Sequence, residues 1–175
     1  NADGSSCMIL ASADRAKEIS KKPVWILGLG SGTASLTMTG RDALDGLNCA
    51  RVAAQEAYKM AGVGPQDIDV AEVHDCFTIA EMMAYENLGF AEPGKGAELI
   101  REGETYLEGK IPVNVDGGLL SKGHPIGATG GSQVRTIVLQ LRGEAGEIQV
   151  PGAEIGLVHN IGGVGIYGNV AIFGR

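Results

Sequence analysis

Histidine occurs only three times in 175 residues, and each copy stands in a segment whose neighbours could do chemistry. His74 opens His74-Asp75-Cys76-Phe77. His124 sits within Ser121-Lys122-Gly123-His124-Pro125-Ile126-Gly127-Ala128-Thr129-Gly130-Gly131. His159 opens His159-Asn160-Ile161-Gly162-Gly163-Val164-Gly165. Imidazole titrates near neutral pH and serves as a general acid or base. A thiol becomes a nucleophile or a second proton carrier when its pKa suits the task. The N–H groups of a glycine turn can hold an oxyanion. Together these are the parts for acid/base work on a carbonyl compound. Neither paired carboxylates at strand ends nor a phosphate-cradling loop competes with them.

Each segment also has a plainer reading. Cys76 falls where a strand gives way to a helix, and the positive end of the helix dipole there favours thiolate. The alternative is a buried cysteine beside a satisfied histidine. Around His124, glycine admits close approach and Pro125 fixes φ, an ordering cost that makes sense when the loop places something. The glycines after His159 suit an oxyanion hole or, equally, a tight hairpin turn. Gly28-Leu29-Gly30-Ser31-Gly32-Thr33 follows a strand, but Thr33 stands where a dinucleotide fingerprint needs glycine. A glycine-permitted turn is the expectation there.

The elements that must carry these segments are short. Val24–Leu29, Ile68–Val73, Ile111–Val115, Glu154–Val158 and Gly165–Phe173 read as five strands. Ala50, Ala53, Ala54, Ala57, Tyr58 and Ala61 recur at helical spacing and stop at Gly62. A second helix places Ile79, Ala80, Met83 and Ala84 inward and ends at Gly89, and a short one spans Ala97 to Arg101. A fourth carries Val134, Ile137, Val138 and Leu141 on one face and stops at Gly143. Strands alternating with helices, closed by a hairpin, predict an α/β fold on a mixed five-stranded sheet. Cys7-Met8-Ile9-Leu10 near the start reads as a further extended stretch.

Composition narrows the partners. Hydrophobic residues make up 44% and charged residues 20%, ordinary for a chain that buries a core. No run of about 18 apolar residues occurs, which argues against a membrane-spanning helix. A net charge of −7 without a Lys/Arg cluster argues against nucleic acid. Cys7, Cys49 and Cys76 are odd in number and lack metal-type spacing, so free thiols and no metal site are expected.

Gly123-His124-Pro125 resembles the GHP motif of thiolases. His74-Asp75-Cys76-Phe77 resembles the HDCF motif of the sterol-carrier-protein and archaeal branch, which stands where other thiolases have NEAF. His159-Asn160-Ile161-Gly162 is similar to an HNxG variant of the CxG segment, and Asp3-Gly4 through Ala11-Ser12 to the strand closing the N-terminal half. The resemblance implies residues 1–12 as the end of that half and 13–175 as a C-terminal thiolase domain, one half of an αβαβα core. It implies His124 as base toward a CxS cysteine on the missing N-terminal half, which neither Cys7 nor Cys49 matches in context. Those two are expected in the core or on a helix face. It implies Cys76 as acid/base at the substrate carbon, His74 and His124 as donors to the enolate oxygen, and Gly162 N–H as an oxyanion contact. Asn160, His159, Gly123 and Phe77 would line the substrate, a coenzyme A thioester, with no bound cofactor and no metal. Asn160 stands where many thiolases place a cysteine, so the thiol role would move to Cys76. The implied partners are the N-terminal half, further copies of the complete enzyme, and the zinc-ribbon/OB-fold protein that archaeal relatives use to hold CoA. The implied setting is the prokaryotic cytoplasm, ahead of the peroxisome. The alternatives are a retro-aldolase acting on acyl-CoA side chains and a non-catalytic lipid-transfer or scaffold subunit.

Overall fold

A computed structural model describes residues 2–41 and 45–175. Helix α1 (Ala13–Ile19) precedes strand β1 (Trp25–Thr33), and α2 (Asn48–Ala61) leads to β2 (Val70–Glu72). Then come α3 (Thr78–Asn87), α4 (Gly96–Arg101), α5 (Gly118–Lys122) and α6 (Thr129–Arg142), and the chain closes with β3 (Ile155–Gly162) and β4 (Tyr167–Gly174). The sheet runs β1-β4-β3-β2, with β1/β4 and β4/β3 antiparallel and β3/β2 parallel. The fold is therefore mixed α/β, as expected. The β3–β4 turn places Gly163, Val164 and Gly165 at positive φ.

Two expectations need correction. Among the described residues, the stretch Ile111–Val115 makes only one bridge, Val113 beside Ala71, so the sheet there has four strands and not five. Pro112 has no N–H to give a ladder, and Asn114 turns to φ 51°. The Asn114 side chain then takes over, accepting from Val73 N–H at 2.8 Å and donating to Glu81 at 3.0 Å. Secondly, Gly28, Gly30 and Gly32 lie inside β1 and not in a turn. They alternate along the strand with period two, so all three face α2. A methyl group at any of them would run into the carbonyl oxygens of Ala57, Ala53 and Cys49.

The helices divide between the two faces of the sheet. On one face α2 buries Cys49, Ala50, Ala53, Ala54 and Ala57, and Gly62 ends it at φ 71°. Of these, Ala53, Ala54 and Ala57 join Ala71, Val73, Ala84, Tyr85, Leu88, Leu157, Val170 and Ile172 in the main core, while Cys49 and Ala50 pack with Leu47. On the other face α6 packs Ile137 and Leu141 against Val70, Val158 and Phe173. The Asp3–Ser12 stretch is exposed and joins no sheet among the described residues. It is tethered to the loop before α6, where Ser6 Oγ donates to the carbonyl of Ala128 at 3.0 Å. Among the described residues, no helix is long and apolar enough to cross a membrane.

Candidate functional site

His74 leaves the end of β2 on the α6 side, two residues beyond Glu72. His124 comes from the loop between α5 and α6. Their rings meet edge to face, with centroids 4.9 Å apart and planes at 83°. Asn160, near the end of β3, completes the group, its Oδ1 lying 3.0 Å from His74 Nδ1. His124 Nδ1 lies 2.7 Å from Thr129 Oγ1, whose hydroxyl donates to the Pro125 carbonyl at 3.2 Å. When that hydrogen goes to Pro125, the hydroxyl accepts from Nδ1–H and leaves the His124 lone pair on Nε2, the form of a general base.

The loop is held by carboxylates. Asp75, almost completely buried, accepts from Leu119 N–H at 2.7 Å and Leu120 N–H at 3.3 Å, pinning α5 to the strand end. Gly118 packs so tightly on that carboxylate that a side chain there would collide with it. Asp116 contacts Lys122 and accepts from Thr136 at 2.6 Å and Gly118 N–H at 3.0 Å. Burial works against ionising Asp116, but these donors outweigh it and hold the carboxyl below its usual range. Glu72 is fully enclosed beside this pair, 3.7 Å from Lys122, and once protonated it can donate to Asp116. Burial first, then the negative charge of Asp116, pushes its carboxyl up to about 9.

Cys76 stands half-buried just before α3, whose N-cap is Phe77. The helix end does not win there. Burial raises the thiol above its ordinary value, more than the Phe77 N–H lowers it, so the resting group is a thiol and a proton donor. Burial likewise lowers His74, against the opposing Asn160 hydrogen bond. Phe77 is 72% exposed, and Gly123 ends α5 at φ 80°. Gly162 lies two residues past Asn160 and borders open space.

The structure thus joins His74, His124 and Asn160 directly, with Cys76 and Gly162 at the ends of the same two parallel strands. It does not bring His159 to them. That ring is wholly enclosed, neither nitrogen has a hydrogen-bond partner among the described residues, and burial first, then the charge of His74, lowers it to about 3. Adjacent strand residues point to opposite faces, so His159 turns toward the α2 layer while Asn160 turns toward α6. Cys49 is buried and donates to Gly165 O at 3.1 Å, whereas Cys7, expected in the core or on a helix face, is exposed. All three thiols are free. Among the described residues, no cluster of side chains is arranged to hold a metal ion. A cleft of about 660 Å³ borders Asn160 and is lined also by Met8, Leu29, Ser31, Gly130 and Val134. Sequence reasoning missed Glu72, Asp75, Asp116, Thr129 and Gln133. The signal for two of them was a run of uncharged polar residues at helical spacing.

Residues 30–175 match the family described as thiolase C-terminal domain-like. The chain is 46% identical over 173 residues to an acetyl-CoA acetyltransferase of Methanothermobacter thermautotrophicus, covering 99% of this chain and 45% of that protein. It is 42% identical over 165 residues to sterol carrier protein 2 of Oryctolagus cuniculus, covering 91% and 30%. Against the benzoylsuccinyl-CoA thiolase subunit BbsB of Thauera aromatica it is 35% identical over 164 residues, covering 93% and 42%. Among solved structures, the Ltp2–ChsH2(DUF35) aldolase superposes with a TM-score of 0.82 at 26% identity, covering 93% of this chain and 42% of that one. The chain spans about half the length, or less, of these relatives. On a family match across most of its length, borne by a fold and motifs that agree with it, this chain belongs to the thiolase C-terminal-domain family.

Proposed function

We propose that this chain supplies the acid/base half of a thiolase-type acyl-CoA C-acyltransferase, making or cleaving the carbon–carbon bond of a 3-ketoacyl-CoA. The observation that carries the reading is the pair of edge-on imidazoles, His74 and His124, with His124 anchored to Thr129 through Nδ1 so that Nε2 is left to exchange a proton. In this reading residues 13–175 form the C-terminal domain and 1–12 the end of an N-terminal half. His124 takes the proton of a cysteine on that half, and the thiolate attacks the thioester carbonyl. The imidazolium so formed can then donate from Nε2 to a developing oxyanion. Cys76, kept protonated by burial, returns a proton to the substrate carbon during cleavage and removes one during condensation. Gly162 N–H helps hold the acyl-enzyme oxyanion, a contact typically worth about 3 kcal/mol. Gly123, Asn160 and Phe77 line the bound thioester. Coenzyme A enters as substrate, with no resident cofactor.

The N-terminal half would cover the cleft beside Asn160, where Met8 and Leu29 are exposed. Relatives about twice as long support that partner, and with it assembly of the complete enzyme from further copies. In this reading a zinc-ribbon/OB-fold companion helps to hold CoA, and the assembly works in the prokaryotic cytoplasm. A second reading is favoured by the aldolase superposition: retro-aldol cleavage of an acyl-CoA side chain on the same scaffold. Co-expression with an N-terminal thiolase half, followed by parallel assays on acetoacetyl-CoA and on a 3-hydroxyacyl-CoA, separates the two. Thiolysis of acetoacetyl-CoA consumes one free CoA for each bond broken over many turnovers. Release of an aldehyde or ketone from the 3-hydroxyacyl-CoA without free CoA would favour the aldolase, and assembly without turnover of either would favour a scaffold role.

A further inference from the structure

Gln133 is a polar residue in the middle of α6, completely buried, and nothing in the chemistry above uses it. Its Nε2 donates to the backbone carbonyl of His159 at 3.5 Å. That leaves Oε1 turned toward Asn160, where it accepts from Nδ2. Asn160 has then committed its donor, and its carbonyl oxygen is the atom that faces His74 Nδ1 at 3.0 Å. A carbonyl oxygen cannot donate, so the hydrogen in that contact belongs to the ring. Each amide in the chain sets the orientation of the next.

We infer that Gln133 is a positioning residue: through Asn160 it locks His74 in the Nδ1–H tautomer, so that Nε2 of that ring meets its ligand as a hydrogen-bond acceptor. Thr129 holds the matching place for His124 from one helical turn away: its oxygen lies 2.7 Å from Nδ1, and a hydrogen given to Pro125 O at 3.2 Å makes it the acceptor for Nδ1–H. With both anchors set in this way, both rings hold lone pairs on Nε2. The consequence changes the role expected for His74. While neutral it cannot donate to an enolate oxygen; it orders a donor, such as a water or a substrate N–H or O–H, that does. Without Gln133 nothing in the chain would stop the Asn160 amide from reversing, and a reversed amide would move the His74 proton to Nε2.

The test reads the tautomer itself, by long-range proton–nitrogen NMR of protein labelled at its three histidines, near neutral pH. Wild type should show His74 and His124 both protonated on Nδ1. Gln133→Met should convert His74 largely to Nε2–H and leave His124 unchanged. Adding Asn160→Asp to that variant should restore Nδ1–H, because a carboxylate can only accept. A wild-type His74 protonated on Nε2 would overturn the inference, as would a Gln133→Met spectrum identical to wild type. If Gln133→Met does not fold, the wild-type spectrum decides alone. The catalytic consequence rests on the thiolase reading. In the assembled enzyme, Gln133→Met should lower kcat about tenfold with KM little changed, as loss of a supporting hydrogen bond to a functional histidine does. Correct tautomers in an assembly that never turns over would count against the thiolase reading and leave the relay standing.

Discussion

The two faces of the sheet are built on opposite rules. Against α2 the layer is alanine on glycine: Gly28, Gly30 and Gly32 let the helix backbone descend onto β1, and Cys49 and Ala50 sit likewise on Gly168. Against α6 the layer holds His74, Glu72, Gln133, Thr136 and Asn160, four of them buried and Asn160 half-buried. A close-packed apolar layer tolerates no added volume. A buried polar layer tolerates added volume little better, but its particular weakness is the loss of a single hydrogen-bond partner. The first face holds the fold, and the second orients side chains for chemistry.

The largest effect should come from the polar face and leave the fold alone. His124→Ala in the co-assembled enzyme is expected to lower turnover about 10²–10⁴-fold, the usual loss with a general base. Its denaturant midpoint should report a stability change of no more than about 1 kcal/mol. The mirror experiment is Gly30→Val, which forces a branched side chain into the Ala53 backbone. Overpacking of that kind costs about 3 kcal/mol or more, read as a lower midpoint or as insoluble protein. A Gly30→Val protein of wild-type stability would remove the contrast between the faces.

A subtler effect concerns Glu72. Its carboxyl stays protonated in the fold up to about 9, while the unfolded chain releases that proton near its ordinary value. The folded state thus binds more protons through this window, and stability must fall as pH rises across it. Glu72→Gln has no proton to lose. Its stability relative to wild type should grow from acid to alkaline pH and level off beyond about 9. Urea titrations at a series of pH values measure this, and a difference independent of pH would mean that Glu72 is ionised in the fold.

The smallest effect on turnover belongs to His159. The ring is neutral in the fold and held to about 3, so the unfolded chain takes up the proton first on acidification. Stability is therefore lost as pH falls below the ordinary histidine range. His159→Leu should remove that part of the acid limb in the same titrations. Turnover should stay within about threefold of wild type, since the ring is walled off from the site. A loss larger than that would return His159 to the active pocket.

Much of this was legible in the chain itself. The alanine spacing of α2, the stop at Gly62 and the two later glycine stops are local signals, and the helices end where those glycines take positive φ. The motif histidines His74 and His124 announced themselves by rarity and by their glycine and proline neighbours. What escaped was non-local. Gly28, Gly30 and Gly32 look like a turn until α2 is laid across them. On α6 the apolar positions at 137 and 141 do face the core, yet a second stripe, Thr129, Gln133, Thr136 and Gln140, is equally buried. Uncharged polar residues at helical spacing read as a solvated face when no partner is known. The tertiary fold brings in a strand asparagine for Gln133 and an aspartate for Thr136, while His124 and the Ile148 carbonyl reach Thr129 and Gln140 from the segments flanking the helix. The thiol of Cys76 shows the same limit, because the helix end was visible in sequence and the burial that overrides it was not.

The most direct test of the central claim is acyl trapping with labelled acetyl-CoA on the assembled enzyme carrying Cys76→Ser. Serine keeps the shape of the site but is a far weaker acid and base near neutral pH. Label should still transfer to the cysteine of the N-terminal half, since that step depends on His124, while condensation and thiolysis should almost vanish. Turnover by Cys76→Ser within about threefold of wild type would contradict the account.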